Sequence, residues 1–232
     1  MIESRDREPK ISVIIPAAGA GRRMKSYGPK SLIKVGKSTI VSNQIQLINS
    51  QIPGAEIILI CGFKSEKLMN ETPSSIVKIE NELYEETNVI RSIGMGLRAT
   101  GKSEIVMIIY GDLVFNEEML KCVDMAESSV VMDSGTMSDN EVGCIVNDEG
   151  YLESIMYDLP EKWAQVLVLR GKELKAFKAL CWDKRNYKKF GFEMINEVIK
   201  KGGQFRALRN DKIKVVDIDS SKDISRAKEI LL

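Results

Sequence analysis

The sequence predicts an α/β fold: a mostly parallel sheet flanked by helices, with a mixed-strand second half. Two observations carry this. In the first half, short continuous apolar runs alternate with segments of helical periodicity. In the middle, strand-like runs follow one another with no long helix between them. The run ISVII at 11–15 is apolar and largely β-branched, as a parallel strand covered on both faces requires. At 39–51, Ile40, Val41, Ile45, Leu47 and Ile48 fall roughly on one helical face. A second buried strand is expected at 56–62, a short helix at 65–71, a third strand at 75–80 and a helix at 88–100. The stretch 104–112 is the most apolar strand and stops on Gly111-Asp112. Strand and helix at this rhythm imply right-handed crossovers.

Strands are then expected at 128–133, 142–148, 151–157 and 164–170, and NDEG at 147–150 reads as the turn of a hairpin. Helices return at 171–182 and 190–202, the second closed by Gly202-Gly203. Two late strands, 205–208 and 213–219, precede a last helix at 220–232, with Ser220 or Ser221 as its N-cap. The expected organisation is a disordered lead-in at 1–10 and a single domain over 11–232.

Composition narrows the chemistry. The 232 residues suit one α/β domain, and 44% hydrophobic residues suffice for a sizeable core. Lysine plus arginine, 34, nearly balances aspartate plus glutamate, 33, so a nucleic-acid partner is not expected and any electropositive site is local. No apolar run reaches the length of a membrane span. The charged opening MIESRDREPK has no signal-peptide core, and the four scattered cysteines read as reduced thiols of a cytoplasmic protein. There is no histidine, which excludes His-dependent triads and His-ligated metals. A metal must therefore sit on oxygen ligands, which favours magnesium, calcium or manganese.

The segment PAAGAGRRMKSYGPK, 16–30, follows the first strand. Its glycine pair, Gly19 and Gly21, lets backbone N–H groups approach a phosphate chain closely. Arg23 adds a forked cation and Lys30 a point charge, with Pro29 stiffening the approach to Lys30. A dinucleotide fingerprint would need a third glycine where Met24 stands, and a Walker A loop ending in GKS at 36–38 would need glycine where Ser31 stands. A triphosphate calls for a divalent ion, and Asp112, at the carboxyl end of the most apolar strand, lies where open α/β sheets bind ligands.

AAGAGRRM followed by PKSLIKVG closely resembles the A-A-G-x-G-x-R-M and P-K signature of the nucleotidyltransferases. The resemblance spans nearly the whole chain and implies a Rossmann-like, nucleotide-diphospho-sugar transferase-like fold. It assigns Ala17, Ala18, Gly19, Ala20, Gly21 and Gly111 to nucleotide binding, Arg23 and Lys30 to catalysis and Asp112 to Mg2+. VVDIDSSKD resembles the E-I-D-[ST]-x-x-D stretch of choline-phosphate and phosphonate cytidylyltransferases, with Asp217 at the Glu position. On that basis Asp219 is the second magnesium ligand and Asp217 the reserve. NELYEETNVIRS resembles the N-x-x-Y-x-x-T-N-N-x-x-S segment of the same group, with Val89 replacing its second consecutive asparagine. It assigns Asn81, Thr87, Asn88 and Ser92 to the nucleotide, and SIGMGL, which resembles the S-V-x-x-G-L of methylerythritol-phosphate cytidylyltransferases, implies that Ser92 and the small Gly96 leave room for a pyrimidine edge.

The implied activity is Mg-dependent transfer of a nucleoside monophosphate, CMP from CTP by preference, to a small phosphate- or phosphonate-bearing acceptor with release of pyrophosphate. Tyr157, Trp182 and Glu193, with Trp163 as a further aromatic, are the acceptor candidates, since aromatic faces with an acid suit a quaternary ammonium. Alternatives are a sugar-1-phosphate nucleotidyltransferase, a glycosyltransferase of the same general fold, or an inactive nucleotide-binding module. Tyr110 stands where a sugar transferase would more often carry the first acid of a D-x-D.

Overall fold

A computed structural model of the chain describes residues 9–21, 28–135 and 141–231. Three parallel crossovers form its first half. Strand β1 (Ile11–Pro16) is followed by a hairpin of β2 (Lys34–Val35) and β3 (Ser38–Thr39), then α1 (Ile40–Gln51), which Thr39 caps by accepting the Ser42 N–H. Next come β4 (Glu56–Cys61), α2 (Ser65–Asn70), β5 (Val77–Glu80), α3 (Val89–Ala99) and β6 (Ile105–Ile109). Strand β1 pairs in parallel with both β4 and β6, and β4 with β5. All five residues of β6 are buried, in keeping with a strand covered on both faces.

After β6 the chain does not enter a helix. It turns at Gly111-Asp112 into β7 (Leu113–Phe115), then α4 (Glu117–Lys121) and β8 (Ser129–Met132). The hairpin of β9 (Val142–Val146) and β10 (Leu152–Tyr157) leads into the long β11 (Glu161–Arg170). Helices α5 (Gly171–Trp182) and α6 (Gly191–Lys200), strands β12 (Arg206–Leu208) and β13 (Val215–Asp217), and α7 (Ser221–Ile230) complete the chain. One nine-stranded sheet runs β10-β9-β11-β6-β1-β4-β5, with β8 also on β11 and β12 beside β8. Strand β11 joins the halves by pairing antiparallel to β6. Its pairing with β8 shifts register between Trp163 and Leu167, where Gln165 takes a left-handed φ of 57°.

Two cores lie on the two sheet faces. One gathers Val13, Ile15, Val41, Ile48 and Phe115, the other Ile14, Ile93, Phe177, Met194 and Phe205. The small sheet β13-β7 is the feature that matters for the site: its antiparallel register sets Asp217 opposite Leu113, the residue after Asp112. At the outer edge of the large sheet, the Asn196 amide accepts the Ile155 N–H at 3.0 Å and donates to the Ile155 carbonyl at 2.6 Å. Among the described residues no helix is long and apolar enough to cross a membrane. Residues 1–8 of the expected lead-in lie outside the described residues.

Candidate active site

The carboxyl ends of β1, β5 and β6 and the first turns of α3 wall a cavity of about 440 Å³. Its floor is Ala17, Ala18 and Gly19, held to β4 by the Ala17 N–H on the Ile60 carbonyl (2.9 Å) and the Phe63 N–H on the Ala18 carbonyl (3.0 Å). The N–H groups of Gly19, Ala20 and Gly21 donate to no other described residue. Ala20 belongs to the loop but not to the cavity wall. Gly21 has a φ of 57°, and a Cβ there would sit 2.7 Å from Lys30 Cγ, so the glycine lets the lysine stem pass against the loop. Arg23 lies outside the described residues.

Asn81, Thr87 and Ser92 form one hydrogen-bonded network on the opposite wall, with Asn81 and Ser92 buried. The Asn81 amide donates to Ser92 Oγ at 3.1 Å and to Thr87 Oγ1 at 3.4 Å, and its oxygen accepts the Leu83 N–H. Asn88 caps α3 and faces this cavity and the next. Gly111 lines the cavity and donates its N–H to the Pro16 carbonyl at 3.1 Å. Gly96 is elsewhere: a Cβ at this position would meet Ile14 Cγ2 at 2.7 Å. Its smallness brings α3 close to β1, and it lines neither cavity.

Lys30 marks the rim. Its ammonium lies 2.6 Å from Asp219 Oδ1 and 3.2 Å from Asp112 Oδ2, with the side chain only 14% exposed. Burial alone would lower its pKa. The charge of Asp112, the hydrogen bond to Asp219 and the charges of Asp217 and Asp219 overcome this and raise it above 10.5. The resemblance expected two carboxylates for magnesium, and here the lysine bridges them. Asp217 is more deeply placed. Burial, then the charges of Asp112 and Asp219, push its carboxyl up to about 7. Its Oδ2 accepts the Gln165 amide at 3.1 Å, while its buried Oδ1 has no partner among the described residues.

An orphaned buried carboxylate oxygen beside two further acids, balanced by one lysine, fits a hard divalent cation. Among the described residues no three acidic or thiol side chains close into a cage. Magnesium asks for less, one or two carboxylates with substrate phosphates. Asp223, in the first turn of α7, accepts from Asp219 N, Ser220 N and Ser220 Oγ, which fixes the turn that carries Asp219.

A second cavity, of about 720 Å³, opens on the other side of these acids and shares Asn88, Val89 and Tyr110 with the first. Tyr157 lies in its wall. Phe190 and Phe192 stack on each other at 5.6 Å, and Tyr157 meets Phe192 edge-on at 5.2 Å. Facing them, Lys162 is held 2.8 Å from Glu141 and 3.3 Å from Asp133. Arg226 of α7 also reaches this cavity.

The other acceptor candidates fall differently. Trp182 lines neither cavity. Helix α5 packs on α3, and the indole N–H donates to the Gly94 carbonyl at 3.2 Å under the Arg98 guanidinium. Glu193 is engaged at the start of α6, accepting the Phe190 N–H at 2.7 Å, and also lines neither cavity. Trp163 is core with one edge on the cavity: its N–H donates to the Val166 carbonyl, and its ring meets Tyr110 edge-on at 5.9 Å. Sequence reasoning missed Phe190, Phe192, Lys162, Gln165 and Arg226. The FGF triplet at 190–192 was the available signal, because two phenylalanines flanking a glycine exceed what one buried helical face needs. The lone lysine and arginine carried none.

Comparison with known proteins adds three findings. The sequence model of the family described as MobA-like NTP transferase domain matches residues 13–186. The bifunctional protein GlmU of Buchnera aphidicola subsp. Schizaphis graminum is 23% identical over 228 residues, 93% of this chain and 48% of that protein, so the chain spans about half the length of this relative. Among solved structures, the CTP:phosphocholine cytidylyltransferase LicC of Streptococcus pneumoniae superposes with a TM-score of 0.77 at 18% identity, covering 96% of this chain and 100% of that one. The inositol-1-phosphate CTP transferase of T. maritima gives 0.76 at 19% identity, covering 95% and 97%. At these identities the structural likeness speaks for the fold.

Proposed function

The chain belongs to the MobA-like NTP transferase domain family, and from that premise we propose that it is a nucleotidyltransferase that transfers CMP from CTP to a small acceptor bearing a phosphate or phosphonate, with magnesium. The observation that carries this reading is the position of Lys30, bridging Asp112 and Asp219 between a cavity floored by main-chain N–H groups and a cavity walled by aromatic rings.

The triphosphate would lie along Gly19–Gly21, with the nucleoside against Asn81, Thr87, Asn88 and Ser92. The preference for CTP rests on the resemblance of the 81–97 segment. The acceptor's organic part would pack on Tyr157, Phe190 and Phe192, which suits an apolar or quaternary-ammonium group, and Arg226 would meet its anionic end. An acceptor oxygen attacks the α-phosphorus in line, the bond to the bridging oxygen breaks, and pyrophosphate leaves with that oxygen. The attacking oxygen is already anionic, so no side chain has to take a proton, and the absence of histidine is no obstacle. Catalysis is then positioning and charge neutralisation.

Magnesium held by Asp112 and Asp219, with Asp217 in reserve, would neutralise phosphate charge. Lys30 exchanges its carboxylate partners for phosphate oxygens as the nucleotide enters. Arg23, expected to act with it, is proposed on the sequence alone.

The test is pyrophosphate release. Each of the four NTPs with magnesium is offered phosphocholine, aminoethylphosphonate, phosphoethanolamine, glycerol phosphate and sugar phosphates in turn. Release with CTP and one non-sugar acceptor supports the proposal. Release only with a sugar 1-phosphate, or only with another NTP, replaces it. Release of free nucleoside diphosphate from a nucleotide sugar would indicate a glycosyltransferase.

A further inference from the structure

Gln165 is one of three non-glycine residues in the left-handed region among the described residues, with a φ of 57°. It stands inside a strand, at the register shift between Trp163 and Leu167 in the pairing of β11 with β8. A glutamine gains nothing locally from that backbone. Such conformations persist where surrounding structure imposes them, and they gather at functional sites. Here the irregularity turns the side chain towards β13, where its amide donates to Asp217 Oδ2 at 3.1 Å. The other oxygen, Oδ1, is buried and has no partner among the described residues. Both residues line the second cavity, beside Asp219.

We propose that Gln165 is a positioning residue for the cation site: the strained turn of β11 exists to hold Asp217 by one oxygen so that the other is offered to the divalent ion. This rests on the magnesium reading above. It also gives Asp217 a definite role, because a carboxylate fixed by one hydrogen bond cannot rotate to satisfy both oxygens from the protein. Partners of this kind beside metal ligands are worth roughly 10–100-fold in metal affinity when removed.

Two substitutions separate positioning from structure. Gln165→Gly accepts the left-handed backbone with no side chain, and Gln165→Asn tolerates it with an amide too short to reach. Mn2+ binding to the ligand-free protein is read by the EPR signal of the free ion, and Tm is measured on the same samples. Both variants should bind Mn2+ about 10-fold more weakly, with Tm equal to or above that of the wild type. Unchanged Mn2+ affinity in both variants overturns the proposal while leaving the metal reading intact. A fall in Tm in step with the loss of binding also overturns it, making Gln165 structural. If the wild type binds no Mn2+ either alone or together with a non-hydrolysable CTP analogue, beyond what the analogue binds by itself, the magnesium reading fails and this proposal with it.

Discussion

The two cavities, which share Asn88, Val89 and Tyr110 and are linked by the Lys30–Asp219 ion pair, are made of different materials. The first is floored by main chain and small residues, Ala17 to Gly21, with a tight amide and hydroxyl network opposite. The second is walled by large side chains, Tyr157, Phe190, Phe192, Lys162 and Arg226, drawn from β10, β11, α6 with its N-cap, and α7. Backbone donors suit a group that never varies, such as a phosphate chain, and their spacing survives almost any change of side chain. Side-chain walls can be recut one residue at a time. On the proposed function, the phosphate chain would lie on the parallel half and the acceptor on the antiparallel half.

Substitutions at the border and on each side test that division. Asp112→Asn should have the largest effect, bringing metal-dependent turnover below detection while Tm stays within about 4 °C of wild type, the shift expected for roughly 1 kcal/mol. Unfolding would make Asp112 a structural residue. Lys30→Ala should lower kcat about 100-fold or more, as loss of one transition-state charge donor does. Near-normal turnover would remove the loop from the chemistry. Phe192→Ala should raise the acceptor KM about 10-fold, ~1.4 kcal/mol, and leave the nucleotide KM alone. A rise in the nucleotide KM instead would merge the two cavities into one.

The smallest effect concerns stability. Burial would lower the Lys162 pKa, but the hydrogen bond to Glu141 and the charge of Asp133 hold it above 10.5. The stabilisation from this lysine is therefore complete below pH 10.5 and is lost as pH rises through its higher folded value. Lys162→Gln should lower Tm by about 3 °C at neutral pH, the shift for ~1 kcal/mol in a chain of this size. The gap should close in strongly alkaline buffer. A gap that does not change with pH would mean that packing, not charge, accounts for it.

The same division governs how much could be read from the residues in order. The strand at 11–15, the glycine pair and Lys30 lie within twenty positions of one another, so local pattern revealed the element and picked out residues that line one cavity. Asp112 was legible because an apolar strand ended on it. The strand after it was hidden: β7 is three residues long, and only its pairing with β13, about a hundred positions later, sets Asp217 and Asp219 beside Asp112. Trp182 and Glu193 were chosen by residue type, and type does not say which way a helix faces. One turned out to pack over Gly94 and the other to cap its own helix. Gly96 shows the same limit, since a small residue near a binding segment served helix–sheet packing instead. The bend of β11 at Gln165 left no mark in composition or periodicity, because a glutamine is not a residue that announces a left-handed turn.

The grip of Asn196 on Ile155 has a consequence for solution behaviour. Strand β10 is the last of the sheet on its side, and an open strand edge invites another chain to extend it. By occupying both the N–H and the carbonyl of Ile155, one side-chain amide imitates the next strand and ends the ladder there. The outer end of this half is thereby sealed by a residue that lines neither cavity. Its loss would be felt first as chains joining edge to edge, in a protein whose chemistry was still intact.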